Sequence, residues 1–173
     1  MLLIAGTGRN SGKTTFACSV INKFSRLFPV VAIKISPHLH EDRACVKPLF
    51  TGREFLVAEE TDASGSKDSS RMLAAGARKS FFVMARDEQL PVAWLKARTL
   101  LTPHDMIVCE SGGLRNLIVP GLFLIINNSL NKDAKKINKK YRRVCDHWIT
   151  FDGAQFNFPI DSLIIRDNQW IIS

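Results

Sequence analysis

Residues 2–15 read LLIAGTGRNSGKTT and place a lysine beside a threonine directly after a glycine-rich turn, Gly12-Lys13-Thr14. An ammonium at the head of a helix can reach the outer phosphates of a nucleotide, and the neighbouring hydroxyl offers oxygen to a magnesium ion. The backbone N–H groups of Gly8, Arg9, Asn10, Ser11, Gly12, Lys13, Thr14 and Thr15 are free to turn toward phosphate oxygens, and the helix that starts there adds its positive dipole end. The spacing G-x-x-x-x-G-K-[ST] asks for glycine at position 7, where this chain has Thr7 between Gly6 and Gly8. The order strand, loop, helix is that of a phosphate-binding loop, or P-loop. The chain is expected to bind a nucleoside triphosphate, GTP or ATP, with Mg2+.

A second strand-end signal supports the first. Asp105-Met106-Ile107-Val108-Cys109-Glu110 is an apolar strand closing on a carboxylate, followed by Ser111-Gly112-Gly113. A P-loop enzyme needs an acidic group to hold magnesium opposite the threonine hydroxyl. Thr14 and Glu110 are therefore the expected metal ligands, and Lys13 and Glu110 the expected catalytic residues. Lys34, His38 and His40 follow another apolar strand and suit contact with an anion. His38, His40, Glu41, Asp42 and Cys45 could instead ligate a metal, or be plain turn residues. Arg71 and Arg115 are further candidates for phosphate or partner contacts. Phe156, Phe158 and Pro159 could cover a base but fit a core better.

These groups need a scaffold that brings strand ends together. Strands are expected over Leu2–Ala5, Val30–Ile35, Phe55–Val57, Ser80–Met84, Met106–Cys109, Gly121–Ile126, His147–Phe151 and Ser162–Ile165. Helices are expected over Lys13–Leu27, Ser69–Ala75, Pro91–Leu101 and Asn131–Arg143. Phe16, Val20, Phe24 and Leu27 would give the first helix one buried stripe. Asp68 would cap the second, and Gly76 would end it. Alternating strands and helices indicate an α/β class: a three-layer P-loop NTPase fold, a mainly parallel sheet covered by helices on both faces. In such sheets ligands collect at the carboxyl ends of the strands.

The 173 residues fit a single domain, 1–173, and 46% hydrophobic with 23% charged residues is ordinary for a soluble protein. No apolar run approaches the roughly 20 residues needed to cross a bilayer. Met1–Ile4 reads as a strand, not a signal peptide. Cys18, Cys45, Cys109 and Cys145 form no CxxC pair and read as reduced thiols of a cytoplasmic protein. The net charge of +8 is concentrated in residues 131–143, NKDAKKINKKYRR. That surface would suit an anionic partner, or be a solvated helix face, and no nucleic-acid-binding signature accompanies it.

IAGTxxxSGKTT and CESGG resemble the loop and second motif of the P-loop class that includes dethiobiotin synthetase and the cobyrinic acid amidating synthases. Within that class the chain is most similar to the accessory GTPase family of molybdopterin guanine dinucleotide biosynthesis. The matching residues are Asn10–Thr15, the run Ile33-Lys34-Ile35-Ser36-Pro37-His38-Leu39-His40, and Asp68-Ser69-Ser70-Arg71 leading to Ala75-Gly76-Ala77. The likeness runs over about residues 1–130. Ser111-Gly112-Gly113-Leu114 departs from the family's glycine-phenylalanine step, and Leu39 separates His38 from His40. The guanine-reading N-K-x-D motif is missing, since Asn131-Lys132-Asp133 lacks the spacer. Asn127 or Asn128, and Asp152 after the next strand, are the alternatives for contacting the base.

The resemblance implies a slow Mg2+-dependent GTPase or ATPase that assists molybdenum cofactor biosynthesis. It implies a catalytic role for Lys34, as in dethiobiotin synthetase. Lys34, His38, His40 and Arg71, with Asp68 and Arg115 as further second-ligand candidates, are expected to form a basic pocket for an anionic ligand such as a pterin-type cofactor, or to be unrelated solvated side chains. A partner enzyme of that biosynthesis and a second copy of the chain are the protein partners considered. The alternatives are an ATP-dependent ligase of the dethiobiotin synthetase kind and a non-hydrolysing adaptor that docks a partner through residues 132–143.

Overall fold

The computed structural model describes residues 1–37, 46–130 and 139–173. Its elements are β1 (Leu2–Gly6), α1 (Lys13–Phe24), β2 (Val30–Ser36), β3 (Val46–Gly52), β4 (Phe55–Glu60), α2 (Asp68–Ala74), β5 (Lys79–Ala85) and α3 (Leu90–Arg98). They continue with β6 (Met106–Glu110), β7 (Leu122–Asn128), α4 (Lys139–Val144), β8 (His147–Phe151), β9 (Leu163–Arg166) and β10 (Gln169–Ile172). The architecture is mixed α/β. Eight strands form one sheet in the order β3-β4-β5-β2-β6-β1-β7-β8, and β9 and β10 form a separate hairpin. The six strands from β5 to β8 are mutually parallel, while β4 pairs antiparallel with both of its neighbours.

Successive strand residues point to opposite faces, and the buried side chains divide accordingly. Leu2, Ile4, Val30, Ala32, Met106 and Val108 share one core cluster with Phe16, Val20, Ile21 and Phe24 of α1 and Met72 of α2. Leu3, Ala5, Val31, Ile33, Ile35 and Cys109 share a second with Leu90, Ala93, Trp94 and Ala97 of α3 and Tyr141 of α4. The near-continuous apolar reading of β1 and β2 follows, because both of their faces are buried. Trp170 of β10 joins the first cluster and packs edge-on against Phe24.

Several boundaries differ from the sequence reading. Helix α1 stops at Phe24, and the chain turns with Leu27 N–H donating to the Phe24 carbonyl, ahead of Pro29. Leu27 is therefore 78% exposed and does not extend the buried stripe. Asp68 is the first helical residue of α2, not its cap, and its carboxylate points elsewhere. Gly76 ends α2 as expected, at φ +105°. Strands β3 and β10 were absent from the sequence reading. Of the expected helix over 131–143, residues 131–138 lie outside the described residues, with Lys132, Lys135 and Lys136 among them. Among the described residues, no helix is long and apolar enough to cross a membrane.

Asp105 closes the opposite edge of the sheet from the strand ends that carry the loop. Its carboxylate accepts from the Thr102 N–H and from Arg78, and its side chain is 1% exposed. Burial opposes its ionisation, but the Thr102 and Arg78 hydrogen bonds hold its carboxyl below the ordinary range. A lowered folded-state value contributes stability above the unfolded value of about 3.9, and that contribution is lost as pH falls through the folded value. Asp105→Asn should cost about 1–3 kcal/mol, read by urea denaturation at neutral pH, and the deficit should shrink toward acid. An equal deficit at pH 7 and pH 3 would exclude this account.

Candidate functional site

Parallel strands deliver their carboxyl ends to one edge, and there the expected site residues meet. Gly6 ends β1, Glu110 ends β6, and Asn127 and Asn128 end β7. Residues 7–12 loop back so closely over Gly6 that a Cβ on it would lie 2.3 Å from Ser11 Oγ and 2.6 Å from Lys13 Cδ. A larger residue there would have to displace Ser11 and the stem of Lys13. Gly12 hands the loop to α1 at φ +88°, and its Cα faces the Phe151 ring of β8, which an added Cβ would meet at 2.8 Å. Phe151 in turn stacks on Phe156 at 4.6 Å. Gly12→Ala should cost about 1–2 kcal/mol from the left-handed backbone alone, plus the clash. In a Phe151→Ala background, Gly12→Ala should cost only the backbone part. No cost there, measured by denaturant midpoint against Phe151→Ala alone, would refute it.

Lys13 Nζ donates to the Gly8 carbonyl at 2.6 Å and to Ser11 Oγ at 3.1 Å, so its hydrogen bonds go to neutral oxygens of the loop itself. Burial pulls the Lys13 ammonium below the ordinary lysine range; Glu110 opposes that shift and Lys34 adds to it. One residue on, the Thr14 hydroxyl donates to Glu110 Oε2 at 2.7 Å. The other oxygen of Glu110, Oε1, takes Lys34 Nζ at 2.5 Å. Lys34 also reaches Asp68 Oδ2 at 2.6 Å, so one ammonium bridges carboxylates of β6 and α2. Glu110 is 2% exposed. Burial works against the Lys34 charge, but Glu110 and Asp68 outweigh it and raise its value. Asp68 is likewise opposed by burial, and Lys34 holds its carboxyl below the ordinary range.

Arg71 of α2 extends the cluster, lying 3.9 Å from Asp68 Oδ1 and donating to Thr15 Oγ1 at 3.3 Å. Residues about a hundred positions apart in the chain, Lys13, Thr14, Lys34, Asp68, Arg71 and Glu110, therefore form one connected group. Three cations face two carboxylates, an excess of one positive charge.

The remaining expected residues are placed as follows. Gly8, Arg9, Asn10 and Ser11 form the loop, with Ser11 buried and Asn10 at φ +54°. Asn128, not Asn127, touches it: its side-chain amide donates to the Asn10 carbonyl at 2.9 Å. Asp152 is exposed and uses Oδ1 to accept from the Ala154 and Gln155 N–H groups, which holds its carboxyl low. Arg115 does not join the cluster. It follows β6 in a short 3-10 turn, lies over the Phe123 ring at 5.8 Å and donates to the Ile118 carbonyl, among side chains of the second core cluster. His38, His40, Glu41, Asp42 and Cys45 lie outside the described residues. Among the described residues no group of three or more His, Cys, Asp or Glu converges as a metal site.

Sequence reasoning missed Phe151, whose contact with Gly12 depends on where β8 falls in the sheet. It also missed the Thr7 hydroxyl, buried and without a hydrogen-bond partner at the position where the strict loop pattern has glycine. Comparison with known proteins adds no relative: no family model, no curated protein and no solved structure matches this chain.

Proposed function

We propose that this chain is a P-loop nucleotide-binding protein in three layers, a slow Mg2+-dependent GTPase or ATPase that assists molybdopterin guanine dinucleotide biosynthesis. The single observation that carries the nucleotide reading is Lys13. A half-buried ammonium bonded to neutral oxygens of its own loop, beside a hydroxyl–carboxylate pair, is an arrangement that a polyanion completes. The division of the core into two clusters, one with α1 and α2 and one with α3 and α4, supports the three layers. The sequence resemblance supports the pathway.

The donor set fits magnesium. Thr14 Oγ1 and Glu110 Oε2 are hard oxygens at 2.7 Å, and Mg2+ is ordinarily held through one or two carboxylates plus substrate phosphates and water. When bound, the ion would neutralise charge on the phosphates. The chain's own residues do the rest. The N–H groups of residues 8–14 and Lys13 bind the phosphates and stabilise charge developing on the transferred phosphoryl group. Lys34 and Arg71 hold positive charge beside them. The sequence offers no evident residue to position an attacking water. Slow intrinsic turnover follows, well below the common enzyme value of about 10 per second.

The ligase reading has one observation in its favour: Lys34, at the strand end where dethiobiotin synthetase has a catalytic lysine, faces the same carboxylate, Glu110, as the loop threonine. Phosphate release from ATP or GTP, with and without small carboxylic acids, separates the readings. Mg2+-dependent release from nucleotide alone is expected. Release only with an acid present would favour the ligase, and binding without release the adaptor. No binding of either nucleotide at millimolar concentration would remove the P-loop reading.

A further inference from the structure

We propose that Lys34 competes with divalent metal for Glu110, and that a bound nucleotide tips this competition toward the metal. The inference rests on the reading of Thr14 and Glu110 as the metal pair, and concerns the order in which that pair is used. Both oxygens of Glu110 are already engaged, Oε2 by the Thr14 hydroxyl at 2.7 Å and Oε1 by Lys34 at 2.5 Å. The nearest second carboxylate, Asp68, holds the same ammonium at 2.6 Å. The Lys34 side chain is only 16% exposed, so water screens these contacts poorly.

A divalent ion entering alone would have to take Glu110 from this ammonium. It would do so in a region where Lys13, Lys34 and Arg71 outnumber Glu110 and Asp68. Mg2+ also gives up its hydration water reluctantly. The displaced lysine would keep Asp68 alone, in a region that also holds Lys13 and Arg71. A triphosphate changes the balance: it reverses the local charge and supplies new anionic oxygens with which Lys34 can pair. Nucleotide then favours metal binding because of one side chain, not because the carboxylate is missing. Lys34 spans β2, β6 and α2 through its two partners, so its release removes one tie between the start of α2 and the sheet, while Ser69 stays bonded to Glu60 and Ser80.

The probe is Mn2+ without nucleotide, followed by the paramagnetic signal of the free ion. Wild-type protein should show no binding tighter than about 1 mM, the weak end of protein sites for hard divalent cations. Lys34→Met, which leaves Glu110 and Asp68 anionic, should bind Mn2+ at least about tenfold more tightly, since an opposing unit charge has been removed at close range. The double variant Lys34→Met/Glu110→Gln should lose that gain, locating it at Glu110. Lys34→Gln, which keeps hydrogen-bond donors but no charge, should behave as Lys34→Met and replaces it if that variant does not fold. Wild-type binding as tight as that of the neutral variants, or no gain in either neutral variant, overturns the proposal. Because no nucleotide is present, this outcome is separate from failure of the functional reading, which is decided by nucleotide binding to the wild type.

Discussion

Lys13→Met is expected to abolish triphosphate binding while leaving the fold as stable as before. A charge-assisted hydrogen bond contributes about 1.5–3 kcal/mol, so loss of even one phosphate contact weakens affinity by about 10- to 150-fold. Stability should not fall in step. Methionine keeps the stem that packs over Gly6, and it removes an ammonium that burial disfavours. The two bonds lost, to the Gly8 carbonyl and Ser11 Oγ, offset that relief. The pH dependence separates the two effects. A lysine whose folded value is lowered sheds its proton in the native state first, so wild-type stability rises relative to Lys13→Met as pH climbs from the lowered value toward about 10.4. Phosphate binding favours the protonated form, so wild-type affinity falls over the same window. Calorimetric titration of ATP and GTP, with thermal melts from pH 7 to 10, measures both. Unchanged affinity in Lys13→Met would mean the loop does not bind phosphate through this residue.

The loop and the acidic strand end were legible because each is local. Glycines, a lysine and a threonine within eight residues state their chemistry without knowledge of the fold, and an apolar run closing on Glu110 does the same. The pairing of Thr14 with Glu110 could be inferred, since parallel strands bring their ends to one edge. The pairing of Lys34 with Asp68 could not be derived from spacing. It depends on where α2 starts against β2, and Asp68 reads locally as a cap because Asp before a helix usually is one. Arg115 shows the reverse failure: its position after β6 suggests the site, but the 3-10 turn carries it toward Phe123 and Tyr141.

Strand β3 is not legible in the sequence because it is an edge strand with Pro48 at a register shift, and such strands lack clean alternation. Strand β10 is four residues long and buries only Trp170 fully. Its signal was present in the turn, since Asp167 and Asn168 both take positive φ, as a tight hairpin requires. The antiparallel pairing of β3 with β4 follows from the short turn at Arg53-Glu54, where Glu54 has φ +60°, too short for a parallel crossover.

Glu110→Gln tests whether the carboxylate is a structural as well as a functional centre. The amide keeps the shape and still offers an oxygen to Thr14, but it presents Lys34 with no charge. Lys34 would then retain Asp68 alone, in a region that also holds Lys13 and Arg71. Breaking a buried pair by removing one partner typically costs about 3–5 kcal/mol. For a chain of this size that corresponds to a fall in Tm of about 6–20 °C. Magnesium-dependent turnover should drop as well, but turnover alone cannot separate lost chemistry from lost fold. The double variant Lys34→Met/Glu110→Gln can, because it removes both charges. It should recover about 1–3 kcal/mol relative to the sum of the single variants, the coupling expected of residues in one network. Its turnover should stay low even as its Tm returns. Additive losses would show that Glu110 and Lys34 do not depend on each other for stability, and recovered turnover would show that Glu110 is not needed for the reaction.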